Sequence, residues 1–129
     1  MLKVTLGQYS FLMTGDMTEA MEEHMVMQKN DLQVDILKLA HHGSDTSTGK
    51  AIVEAASPSY ALVSAGKDNQ YGHPHQDVLD RLTGIEILST KDTGMVQLNI
   101  KSDRLCVRAK LDEALNHCIK KELNHQLSE

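Results

Sequence analysis

The chain has 129 residues, 40% hydrophobic and 24% charged, the size and make-up of one globular domain with a buried core. Its formal charge is −5 and its longest basic run is Lys120-Lys121, which excludes a nucleic-acid surface built on clustered Lys and Arg. No stretch approaches the ~20 apolar residues of a membrane span and no signal-peptide pattern opens the chain, so it reads as soluble.

Residues 3–13, "KVTLGQYSFLM", predict a strand leading into Thr14-Gly15-Asp16. Residues 17–28 are good helix formers with acids in the first turns. "DLQVDILKLA" (31–40) predicts a buried strand, "STGKAIVEAAS" (47–57) a short helix ending before Pro58, and "YALVSA" (60–65) a second buried strand. "HQDVLDRLTG" (75–84) carries Val78, Leu79 and Leu82 at helical spacing and stops at Gly84. "IEIL" (85–88), "GMVQLNI" and "RLCVRAK" predict closing strands with turns at "KDTG" and "KSD". Over 111–129, Leu111, Leu115, Ile119 and Leu123 recur at i+4 and predict an amphipathic C-terminal helix. Cys106 and Cys118 form no CxxC and no framework, and read as reduced structural thiols. Strands alternating with helices predict an α/β layered domain.

The unusual residues gather at three strand–loop junctions: "MTGDM", "AHHGS" and "YGHPH". They bring Asp16, then His41 and His42, then His73 and His75 to loops of the kind where α/β proteins keep their chemistry. Carboxylate and imidazole are ligands shared by zinc, manganese and iron. Each piece also has a plainer reading. Asp16 is a natural turn residue or cap for the 17–28 helix, the paired histidines can divide between packing and surface, and "GHPH" can be a stiff loop. His24, His117 and His125 sit among charged residues on expected helices and read as solvated faces.

Taken in order, "LMTGDM", "DILKLAHHGSDTST" and "YALVSAGKDNQYGHPHQDVLDRL" resemble the second half of the metallo-β-lactamase-like hydrolase domain of ComEC-type competence proteins and their stand-alone relatives. The resemblance covers roughly residues 1–100 as a C-terminal half-domain. Residues 101–129, a closing strand and the C-terminal helix of the same domain, lie outside it. It implies half of an αββα sandwich with one or two zinc or manganese ions. Asp16 matches the metal-bridging aspartate and His42 the last metal ligand, with His41 beside it as an outer or substrate contact. His73 and His75 match a rim loop where a histidine binds a phosphate oxygen or protonates a leaving group, and Ser44 and Thr46 are expected to orient these rings.

The resemblance further implies phosphoester hydrolysis, single-stranded DNA being one candidate substrate, and membrane-bound relatives that work outside the cytoplasmic membrane. The family's "HxHxDH" motif is absent from this sequence. Asp16 and His42 alone are too few ligands for a tight site. The chain therefore reads as a piece of a longer hydrolase, as the complement of a missing N-terminal half or of a second copy, or as a non-catalytic dimerisation or partner-binding module. Half a sandwich also predicts an uncovered apolar sheet face.

Overall fold

The computed structural model describes residues 1–121. Its larger sheet has five strands in sequence order: β1 (Leu2–Leu6), β2 (Tyr9–Met13), β3 (Ile36–Lys38), β4 (Tyr60–Val63) and β5 (Glu86–Ser89). β1 runs antiparallel to β2, and β2 to β5 are mutually parallel. The crossovers carry α1 (Glu19–Met27), α2 (Lys50–Ala56) and α3 (Gln76–Asp80). A strand order that never reverses, joined by crossovers of one hand, sends every helix to the same face.

Strand alternation then divides the side chains. Leu12, Leu37, Ala61 and Val63 meet Ile52, Val53, Val78 and Leu82 of the helical layer. On the opposite face Tyr9, Ile36, Tyr60 and Leu88 meet Leu105 and Val107 of a second sheet. That sheet is antiparallel, β6 (Val96–Lys101), β7 (Arg104–Ala109) and β8 (His117–Lys120). Each fully buried aliphatic side chain contributes about 1.5–3 kcal/mol, so both cores matter to stability. The mixed α/β class is as expected.

Several local expectations are corrected. The run 3–13 is a hairpin of β1 and β2, reversing at Gly7-Gln8 with Gly7 at φ +60. Of 31–40 only Ile36–Lys38 pairs with both neighbours; Leu32 and Val34 are buried as irregular chain, and the Val34 amide donates to the Ala56 carbonyl at the end of α2. The expected turn at "KDTG" lies within and just after a one-turn helix, α4 (Thr90–Thr93), closed by Gly94.

The C-terminal helix is not there over the described residues. A tight 3-10 turn, Glu113–Leu115, leads into β8, and Leu123 and His125 lie outside them. The two cysteines are not reduced thiols either: β8 registers Cys118 opposite Cys106, and the pair is a disulfide. His117 is half-buried on this strand rather than on a solvated helix, with Nε2 2.6 Å from the Tyr60 hydroxyl and Nδ1 donating to the Leu115 carbonyl. His24 is exposed on α1, as expected.

The second sheet covers most of the face expected to be bare. β1 is the exception: Leu2, Val4 and Leu6 share the inner face with their partners Met13, Phe11 and Tyr9, and Leu2, Val4, Leu6 and Met13 remain exposed at the sheet edge. No helix among the described residues is long and apolar enough to cross a membrane.

Candidate functional site

The three junctions follow the carboxyl ends of β2, β3 and β4, which are adjacent parallel strands, so they share one rim of the sheet. Hydrogen bonds sew the rim together. Thr14 Oγ1 donates to the Lys38 carbonyl (2.9 Å), the Leu39 amide to Leu62, and the His41 amide to the Gly15 carbonyl (2.9 Å). Asp16 is exposed next to that last bond. It does not cap α1, whose cap position is Thr18 and has no side-chain capping bond.

His41 (φ +48) and His42 (φ +56) both lie in the left-handed region, which two consecutive non-glycine residues seldom occupy. Gly43 follows at φ +87, and a Cβ there would sit 2.6 Å from the Pro74 Cβ. Only glycine lets the two loops touch this closely, and the His75 amide donates to the Gly43 carbonyl at 2.9 Å. The turn thus throws both imidazoles outward at the rim.

The rings form a chain. His41 lies 6.5 Å from His42 and 5.8 Å from His73 between centroids, and His73 lies 4.7 Å edge-on from His75. His42 Nδ1 donates to the Ser64 carbonyl (2.7 Å), which in the neutral ring leaves a lone pair on Nε2. His75 has both nitrogens engaged: Nδ1 accepts from the Asp45 amide (3.0 Å) and Nε2 donates to the Tyr71 carbonyl (2.9 Å). His73 is 8% exposed. Burial first, then the neighbouring His75, His41 and His42, push its pKa below the ordinary histidine value, against a weaker opposing pull from Asp45. Near neutral pH it is an uncharged base.

The residues that hold this arrangement differ from those expected. Ser44 and Thr46 bond to each other (2.9 Å) and to no histidine ring among the described residues. The orienting groups are backbone: Ser64, Asp45 and Tyr71. Asn69 staples the loop after β4, its amide donating to the Gly66 and His73 carbonyls while its oxygen accepts from the His73 amide. An Asn in a Gly-rich loop was the available sequence signal.

Glu22 gave no such signal. It is 1% exposed on α1, and its two carboxylate oxygens accept from the Thr48 (2.8 Å) and Gly49 (2.9 Å) amides. Arg81 donates to the Ser47 and Thr48 carbonyls from the other side, and the Ala40 amide donates to Thr48 Oγ1. Together these clamp the loop that follows the paired histidines.

The rim fits a metal only in part. His42, anchored through Nδ1 to a carbonyl with Nε2 open, has the arrangement of a metal-binding imidazole, and Asp16 is an accessible carboxylate on the neighbouring strand end. No group of three His, Cys, Asp or Glu side chains able to hold an ion occurs among the described residues. The described residues supply a partial set of donors.

No protein-family model matches the chain. It is 38% identical over 98 residues to ComE operon protein 3 of Bacillus subtilis (strain 168), a match covering 74% of this chain and 13% of that protein. It is 37% identical over 114 residues to competence protein ComA of Neisseria gonorrhoeae, covering 82% and 16% respectively. With recombination protein 2 of Haemophilus influenzae it shares 35% identity over 101 residues, covering 77% and 13%. The chain is thus related to a segment of competence proteins, and spans between 13% and 16% of the length of these relatives.

Proposed function

We propose that this relative of competence proteins is the C-terminal half of a metallo-β-lactamase-type αββα sandwich whose complete form is a metal-dependent phosphoesterase. Its substrate is a phosphodiester such as single-stranded DNA, and its work belongs to DNA uptake. The observation that carries the reading is the convergence of Asp16, His41, His42, His73 and His75 on three adjacent strand ends. Kinship with proteins named for competence and recombination supports the biological setting.

Asp16 and His42 would hold one or two zinc or manganese ions together with donors from another polypeptide layer. A bound ion supplies Lewis-acid chemistry, drawing charge from the phosphoryl group and acidifying water. His73 does the proton work in this reading. Held neutral, it accepts a proton, and an anionic phosphate arriving beside it raises its proton affinity so that it can pass the proton to a leaving oxygen. His75, with both nitrogens engaged, serves to position His73, and His41 faces the substrate.

The exposed Leu2, Val4, Leu6 and Met13 support a missing apolar layer over β1, from an N-terminal half or a second copy. The same patch supports a second reading, a non-catalytic module that docks through this edge. Metal content per chain separates them. After dialysis against trace zinc and manganese, the hydrolase reading expects bound metal that falls in His42→Ala and rises to stoichiometry when the missing half is supplied. Equal metal in wild type and His42→Ala removes His42 from the ligand set.

A further inference from the structure

We propose that the hollow beside His42 and His73 is a stacking pocket for one nucleobase of the strand, with Tyr71 as its platform; this rests on the phosphodiester reading above. The chain has only three Tyr and one Phe. Tyr9 and Tyr60 are buried with their hydroxyls hydrogen-bonded, and Phe11 packs between the sheets. Tyr71 is 67% exposed, packs into neither core, and its hydroxyl has no partner among the described residues. Its ring stacks on His73 at an interplanar angle of 25° and a centroid distance of 5.6 Å.

The hollow, about 280 Å³, lies between the Ser64–Gly66 segment, Asn69 and the rings of His42, Tyr71 and His73. That is just below the usual ligand-pocket range of about 300–1,000 Å³, room for one flat ring system rather than a duplex. Its walls are mostly apolar, and two of the polar groups in them are already occupied. Asn69 is spent on the loop backbone, and the Ser64 carbonyl on His42. A ligand therefore gains by stacking and finds little to read its edges, which suits any base and selects none.

Two further features point the same way. The rings of His42 and His73 border the hollow, so a phosphodiester held at the rim next to His73 brings an attached base to Tyr71. The platform is also preorganised, because the Tyr71 carbonyl anchors His75 and Asn69 braces the loop behind it. Little ordering remains to oppose binding.

The chain contains no Trp, so Tyr71→Trp adds a single fluorophore at the platform. The 129-residue chain carrying it is titrated with single-stranded oligothymidylate and with an abasic oligomer of equal length. Oligothymidylate is expected to quench the Trp saturably and to bind about tenfold or more tightly than the abasic strand. Measured by anisotropy of a labelled strand, Tyr71→Ala should lose about as much affinity and Tyr71→Phe little, with unchanged thermal melting. Equal affinity for the two strands, no binding of either, or an unaffected Tyr71→Ala overturns the pocket. A complete domain that hydrolyses abasic and base-bearing strands equally, with Tyr71→Ala as active as wild type, keeps the hydrolase and removes the pocket. Base-dependent binding in a complete domain without hydrolysis does the reverse.

Discussion

Replacing Glu22 by Ala removes the only acceptor, among the described residues, of two buried amides, those of Thr48 and Gly49, where the chain enters α2. A hydrogen bond to a charged group contributes about 1.5–3 kcal/mol, and an orphaned buried donor costs about 1–3 kcal/mol. Two donors and a small cavity therefore predict a loss of about 3–5 kcal/mol, a large share of the roughly 5–15 kcal/mol that holds a domain together. Glu22→Gln keeps one acceptor and turns its amide toward the other donor, so about half that loss is expected. Urea denaturation at pH 7 gives both values from the midpoint at constant slope. The pH dependence supplies an independent check. Burial raises the Glu22 pKa above 4.5, outweighing the two amide bonds that lower it. Between 4.5 and the raised value the folded chain keeps a proton that the unfolded chain has lost. The group's contribution therefore improves as pH falls through that window and is constant above it. Wild type should gain stability relative to Glu22→Gln on acidification. A Glu22→Ala variant within 1 kcal/mol of wild type, or a gap that widens in wild type's favour only as pH rises, would refute the clamp and its burial.

Asp16 is exposed and caps no helix, so Asp16→Ala should leave thermal denaturation unchanged while abolishing metal-dependent hydrolysis in the completed enzyme. Undiminished hydrolysis would remove it from the metal site. Replacing His73 and His75 together by Ala should slow turnover with metal still bound; elemental analysis showing metal loss would instead make them ligands. Gly43→Ala forces a Cβ to 2.6 Å from Pro74 at a backbone angle that suits glycine, and should cost about 2–4 kcal/mol in urea denaturation. A neutral substitution would mean that the two histidine loops are not in contact.

Local pattern was enough to determine most of the layout. Apolar runs marked β2 to β5, helix formers and stop signals marked α1 to α3, and the junctions held the residues that gather at the rim. Chain order alone then made the rim shared, since successive parallel strands end on the same side. What local pattern left undetermined has a common physical reason: it depends on partners distant in sequence. The i+4 spacing of Leu115 and Ile119 suits one face of a helix, but the two residues belong to different elements, Leu115 closing the 3-10 turn and Ile119 lying on β8, and both pack against the core between the sheets. The free edge of β7 and the opposition of Cys106 to Cys118 decide for β8. The hairpin at Gly7-Gln8 leaves no mark in the apolar pattern because reversing the chain there keeps Leu6 and Tyr9 on the same face. At the site, the histidines were legible by type and position. Their hydrogen-bond partners were not, because these are the Ser64, Asp45 and Tyr71 carbonyls and amides, with the buried carboxylate of Glu22 behind the loop, groups that acquire meaning only when the tertiary fold brings them to the rings and loops they hold.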